Sequence, residues 1–148
     1  MGHIFVLMGK TNSYKDFVME RCTHNQSLYC TDITNIDEHL TNIVSANMEG
    51  CEFIRRTYCS IVYPVFIYTG DYQVLRDGIE NIMRSGTDSY ADMCSTFISE
   101  CNEYSEELLN RINAVTICEG CAADAYSSLI RYIKMVLQKD SDRAGDTL

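Results

Sequence analysis

The stretch that most constrains this chain is His3-Ile4-Phe5-Val6-Leu7-Met8-Gly9-Lys10-Thr11-Asn12-Ser13-Tyr14-Lys15-Asp16. An apolar run from Ile4 to Met8 breaks at Gly9, crosses a short polar loop and meets Lys15 at the head of a helix-compatible segment. A strand that is apolar at every position is covered on both faces, which is the signature of a parallel sheet. Strand, glycine loop, lysine and helix in that order form the layout that cradles phosphate, because backbone N–H groups and the positive end of the helix dipole all face the anion. Against the full pattern (glycine, four residues, glycine, lysine, serine or threonine), Gly9 and Lys15 stand in register. Tyr14 replaces the second glycine and Asp16 the hydroxyl. The candidate phosphate-binding residues are therefore Gly9, Lys10, Thr11, Asn12, Ser13, Lys15 and Asp16. Tyr14 is expected to distort or close the cradle. A side chain where the backbone needs positive φ costs roughly 1 kcal/mol or more, and the ring would fill nucleotide space.

Length supports one domain, placed at residues 1–139, with enough chain to build a core without staples. The net charge of -9 argues against a non-specific grip on nucleic acid or on an anionic membrane, since both need a basic surface. A nucleotide or another small molecule, or a protein partner, is the expected class of ligand. No apolar run is long enough to span a bilayer or serve as a signal peptide, so a soluble, cytoplasmic protein is expected. The eight cysteines then read as reduced thiols. Cys118-Glu119-Gly120-Cys121 has zinc-knuckle or redox spacing, but the second pair of a zinc site is missing.

Along the chain, residues 27–33 suggest a second strand ending at Asp32. An acidic residue there is a candidate magnesium-orienting carboxylate, with a turn role as the plainer alternative. Asn35-Ile36-Asp37-Glu38 resembles a capping box. Ile36, Leu40, Ile43 and Val44 follow at helical spacing, predicting a helix to about Met48 with Gly50 as its stop. Residues 59–68 give the strongest strand signal. Helices are expected over 71–83 and 90–100, the first followed by a polar break at 84–89. Ser105 should cap a brief helix, 114–118 should be a strand, and 122–138 a helix with an apolar stripe. Residues 140–148 look like a frayed, flexible tail. Strands alternating with helices imply an α/β fold, a three-layer sandwich around a mainly parallel sheet.

Val62-Tyr63-Pro64-Val65-Phe66-Ile67-Tyr68, Tyr90-Ala91-Asp92-Met93-Cys94 and Tyr104-Ser105-Glu106-Glu107, with the opening strand and loop, resemble the guanylate kinase family. The likeness is to its small bacterial guanylate-kinase-like branch, in which aspartate commonly follows the lysine. It covers the first 25 residues and most of 60–118. The resemblance implies a P-loop fold, ATP with Mg2+ as cofactor, and transfer of the γ-phosphoryl group to GMP. Lys15 would neutralise phosphate charge, and Arg76 and Arg84 are the remaining lid cations. Other lid arginines are replaced, for instance by Ser95-Thr96, and the interval between Lys15 and Pro64 is too short for the family's GMP-binding subdomain. The expected product is a guanylate-kinase-like, nucleotide-binding pseudokinase with impaired or absent GMP phosphorylation. The alternatives are a minimal phosphotransferase with another acceptor, or a protein-interaction module.

Overall fold

The computed structural model describes residues 2–10, 13–69, 76, 80 and 90–146. The expected helix over 71–83 and the polar break after it lie almost wholly outside these residues, as do Thr11, Asn12 and Arg84. Five strands, β1 (His3–Gly9), β2 (Tyr29–Thr31), β3 (Thr41–Ser45), β4 (Val62–Tyr68) and β5 (Val115–Cys118), form one sheet in the order β2-β3-β1-β4-β5. Every pairing is parallel, with Phe5 opposite Ile43 on one side and Tyr63 on the other. The helices are α1 (Lys15–Thr23), α2 (Met48–Tyr58), α3 (Tyr90–Glu103), α4 (Glu106–Arg111) and α5 (Ala122–Asp146).

The unbroken apolar run of β1 is explained by its central place, since alternate residues feed two separate cores. Phe5 and Leu7 join Val18 and Cys22 of α1 and Ala125, Leu129, Ile133 and Val136 of α5 on one face. Ile4, Val6 and Met8 join Met48, Cys51 and Ile54 of α2, together with Tyr104, Leu109 and Ile112, on the other. That is the three-layer α/β sandwich, with helices covering both faces of a parallel sheet.

Two expectations are corrected. The helix placed from Ile36 to Met48 is instead a loop, the strand β3, and then α2, which runs through the supposed stop at Gly50. The helical spacing of Ile36, Leu40, Ile43 and Val44 was coincidental, because Ile43 and Val44 belong to a strand buried between two others. Asn42 settles the register. Fully buried, its amide donates to the carbonyls of His3 (3.0 Å), Asp37 (2.8 Å) and Leu40 (2.9 Å), while its Oδ1 accepts from Asp37 N (3.0 Å). A buried amide satisfied in this way favours strand over helix, since the groups it bonds come together only when β1 and β3 lie side by side. The true helix cap is Asn47, whose side chain accepts from Gly50 N at 2.8 Å, so Gly50 is the third helical residue and not a terminator.

The second correction concerns the C-terminus. α5 continues past Gln138 through Asp146. Gln138 Nε2 donates to Asp142 Oδ1 one turn on (3.1 Å), and the Asp140 carboxylate meets the His3 imidazole at the foot of β1. The turn at α4 follows its predicted chemistry. The Ser105 side chain accepts from Leu108 N, and Asn113, at φ 55, closes the other end with Asn113 N donating to Asn110 O and Ala114 N to Leu109 O.

Candidate phosphate site

The carboxyl ends of parallel strands, beside a helix N-terminus, are where open α/β sheets bind ligands. A cleft of about 570 Å³ lies there, lined by Gly9, Lys10, Ser13, Lys15, Asp16, Asn47, Glu100, Glu103 and Tyr104. Five of the seven predicted phosphate-loop residues thus meet in one cavity. The loop turns tightly, with Ser13 N donating to Lys10 O at 3.0 Å, and Lys15 N points at Ser13 Oγ (3.4 Å). Gly9 lets this happen. A Cβ there would stand 2.5 Å from Ser13 Oγ, 3.2 Å from Lys15 Cβ and 3.3 Å from Ile67 O. Only a glycine tolerates so close an approach of Ser13 and the start of α1 to the end of β1.

Tyr14 does not close it. Its backbone sits at φ -78 and ψ 6, so no left-handed strain arises. Its ring packs against the core on the α1 and α5 face, and its hydroxyl donates to Gly120 O at 3.3 Å. The loop therefore has no need of a glycine at this position, and the expected obstruction is absent because the side chain leaves on the opposite side from the cleft.

The two lysines part company. Lys15 opens α1 and, among the described residues, has no ion-pair partner. Lys10 is buried, its Nζ 3.5 Å from Cys101 Sγ and close over the rings of Tyr68 (5.9 Å) and Phe97 (5.8 Å). Cation and ring faces attract at such distances, so Lys10 is held on the α3 side while still bordering the cleft.

Opposite Lys15 stand groups that sequence reasoning missed. α3 contributes Glu100 and Glu103, and Glu103 Oε2 accepts from Met48 N (3.1 Å) at the head of α2. A carboxylate at a helix N-terminus is electrostatically favoured and held in place. Asn47, the cap of the same helix, brings an amide to the cleft from the end of β3. Burial, reinforced by the neighbouring carboxylates of Glu103 and Glu100, raises the Tyr104 phenol well above its ordinary range, so it stays a neutral hydroxyl. Glu100 and Glu103 lie three apart on one helical face, a spacing visible in the sequence but without a phosphate signature.

Asp32 lies elsewhere. It follows the edge strand β2, and its Oδ1 accepts from Thr34 N (2.9 Å), Thr34 Oγ1 (2.6 Å) and Asn35 Nδ2 (2.9 Å). The bonds from Thr34, then those from Asn35, hold its carboxyl below the usual range. This is a turn-forming aspartate, and it does not line the cleft. Arg76 is helical and exposed, paired with Glu80 at 3.5 Å, and is likewise not a lining residue.

No family model matches the chain, and no curated protein matches it. Among solved structures, a gluconokinase from Sinorhizobium meliloti 1021 superposes with a TM-score of 0.58 at 12% identity, over 93% of this chain and 97% of that one. The likeness is one of fold, an α/β sandwich built here on a five-stranded, all-parallel sheet in the order β2-β3-β1-β4-β5. The guanylate kinase resemblance, by contrast, finds no matching family model. For the ATP and Mg2+ expected from the sequence, the residues divide. The cleft bordered by Gly9 and Ser13, the α1 N-terminus and Lys15 fit a phosphate. A magnesium ion finds no group of three or more His, Cys, Asp or Glu side chains among the described residues. No helix among them is long and apolar enough to cross a membrane.

Proposed function

We propose that the protein binds the phosphates of a nucleotide between Gly9 and Asp16 and is impaired in transferring a phosphoryl group to GMP, a guanylate-kinase-like pseudokinase. The observation that carries this reading is the open cradle, in which Gly9, Ser13 and Lys15 share one cleft while Tyr14 turns away to Gly120. Lys15 supplies a point charge to the phosphate oxygens and the first N–H groups of α1 supply dipoles. Transfer asks for more, because its transition state is stabilised almost wholly by surrounding cations. Here α3 turns Glu100 and Glu103 towards the cleft instead. A carboxylate about 6 Å from a phosphate oxygen repels it by on the order of 2–3 kcal/mol at an effective dielectric of 20. The acceptor side is also reduced, since β2 and β3 are joined by residues 32–40 alone, which form turns. Calorimetric titration with ATP and ADP is the test. Binding is expected, with K15A weakening it at least about tenfold, and no GMP-dependent ADP release in a coupled assay. An affinity that K15A leaves unchanged would remove the phosphate-loop reading, and GMP turnover would remove the pseudokinase reading.

One observation favours a second reading, a small-molecule phosphotransferase. A cavity of about 490 Å³ adjoins the cleft through Lys10 and Tyr104, with Phe66, Tyr68, Ser105 and Asn110 among its walls. The gluconokinase likeness agrees with a compact acceptor. ADP release stimulated by a small polyol or sugar acid, and abolished by K15A, would select this reading over the first.

A further inference from the structure

The Cys118-Glu119-Gly120-Cys121 loop is left unused by the phosphate reading, yet it touches the phosphate loop. β5 ends at Cys118 and α5 begins at Ala122, so the motif is the whole connection between them. Both cysteines are exposed thiols. The ends of the loop are fixed. Cys118 is in register with Tyr68 in the sheet, and Cys121 O accepts from Ala125 N (3.1 Å) in the first turn of α5. Glu119 Oε1 accepts from Ser128 Oγ at 2.7 Å. The middle has room around it, since a Cβ built on Gly120 would meet no atom within 4 Å. The carbonyl of Gly120 receives the Tyr14 hydroxyl, and Tyr14 O in turn accepts from Val18 N (3.0 Å) in the first turn of α1.

We propose that Cys118 and Cys121 form a reversible disulfide within this loop, and that its closure alters the phosphate site by displacing the Gly120 carbonyl from Tyr14. Cysteines two residues apart are spaced for such a bridge, which requires their Cα atoms to lie about 4.4–6.8 Å apart. With strand and helix holding the ends, the adjustment falls on the peptide units of Glu119 and Gly120. The oxidant class is a small disulfide such as oxidised glutathione. One cysteine thiolate attacks it, forming a mixed disulfide and expelling one glutathione thiolate. The second cysteine thiolate then attacks the protein sulfur, closing the ring and expelling the other glutathione. The protein dithiol loses two electrons and two protons, and two glutathione thiols gain them. Reduced glutathione reverses both steps. Tyr14, immediately before Lys15, carries the change to the head of α1.

This inference rests on the phosphate reading for its affinity readout alone. The full chain is equilibrated in glutathione buffers of graded ratio, quenched with a maleimide and peptide-mapped. Amide hydrogen exchange across residues 15–18 and calorimetric titration with ADP are measured in both states. The expected result is a Cys118–Cys121 bridge that forms and reverses with the ratio, faster exchange at Val18 and its neighbours when oxidised, and ADP affinity lower by about threefold to tenfold, the range expected for loss of one hydrogen bond. Y14F should show the same exchange in both states, and C118S and C121S no response to the buffers. Thiols that stay alkylated at every ratio, bridges to other cysteines, or a closed ring that leaves exchange unchanged would each overturn the inference. A redox-dependent exchange with no ADP binding in either state would uphold it while removing the nucleotide reading.

Discussion

Replacing Gly9 by alanine tests the cradle directly. The added methyl would lie 2.5 Å from Ser13 Oγ, closer than a carbon and an oxygen can approach, and 3.2 Å and 3.3 Å from Lys15 Cβ and Ile67 O. The hydroxyl can rotate away at small cost. The other two neighbours cannot, since Ile67 O belongs to β4 and Lys15 Cβ is fixed by the start of α1. The methyl is thus pinched between a strand and a helix, and overpacking of this kind costs roughly 1–3 kcal/mol. At about 3 °C per kcal/mol for a domain of this length, G9A should melt about 3–9 °C lower by calorimetry. ADP affinity should fall as well, because relieving the clash shifts Ser13 and the start of α1, both of which border the cleft. S13A in the same background removes the nearest atom of the three, so it should recover part of the stability but little of the affinity. If G9A melted within a degree of wild type, or if S13A recovered both properties equally, the argument that Gly9 is required by the loop's close approach would be refuted.

Three further outcomes are expected. E100Q/E103Q keeps hydrogen-bonding capacity while removing two negative charges from the cleft, and should tighten ATP binding at least about tenfold in calorimetry; unchanged affinity would show that these side chains turn away from the ligand. N42A should destabilise the fold by about 2–4 kcal/mol in urea titration, because it removes the buried amide's bonds to the carbonyls of His3, Asp37 and Leu40 and takes the side-chain acceptor from Asp37 N; a loss below 1 kcal/mol would mean water replaces the amide. Burial first, with Cys30 nearby, pushes the Cys22 thiol from its ordinary 9.0 up to about 12. Between those values the unfolded chain has released a proton that the folded one retains, so stability should fall as pH rises from about 9 towards 12, by on the order of 1 kcal/mol per unit. It is fully present below pH 9. C22A should flatten that slope, and a slope identical to wild type would remove the assignment.

What could be read from the sequence follows from how locally each element is encoded. β1 and β4 carry long, mostly apolar runs, β5 is a short β-branched segment, and the cap at Ser105 and the stripe of α5 are local patterns, so they are legible. β3 is not. It is three residues of apolar or buried character flanked by threonine and serine, with an asparagine whose partners lie on β1 and in the loop before it, far away in sequence. Its neighbours happened to imitate a helical period. The extent of α5 was missed for a related reason, because Asp140 meets a histidine at the other end of the chain. In the site, Gly9, Ser13 and Lys15 were legible from spacing, whereas the direction of Tyr14 depends on a carbonyl more than a hundred residues away. Glu103 and Asn47 acquire their place only when α2 and α3 converge on the cleft.

The nine-residue link from β2 to β3 has a consequence for the fate of a bound nucleotide. Enzymes that move phosphoryl groups must keep the terminal phosphate away from solvent, since water is a competing acceptor present everywhere. Among the described residues the link supplies two turns, one held by Asp32 just after β2 and one by Asp37 beside the foot of β1, where Glu38 O accepts from Gly2 N and Leu40 O from His3 N. Its second half thus closes the sheet at the end away from Gly9 and Lys15, and any cover over a phosphate bound there must come from other segments of the chain.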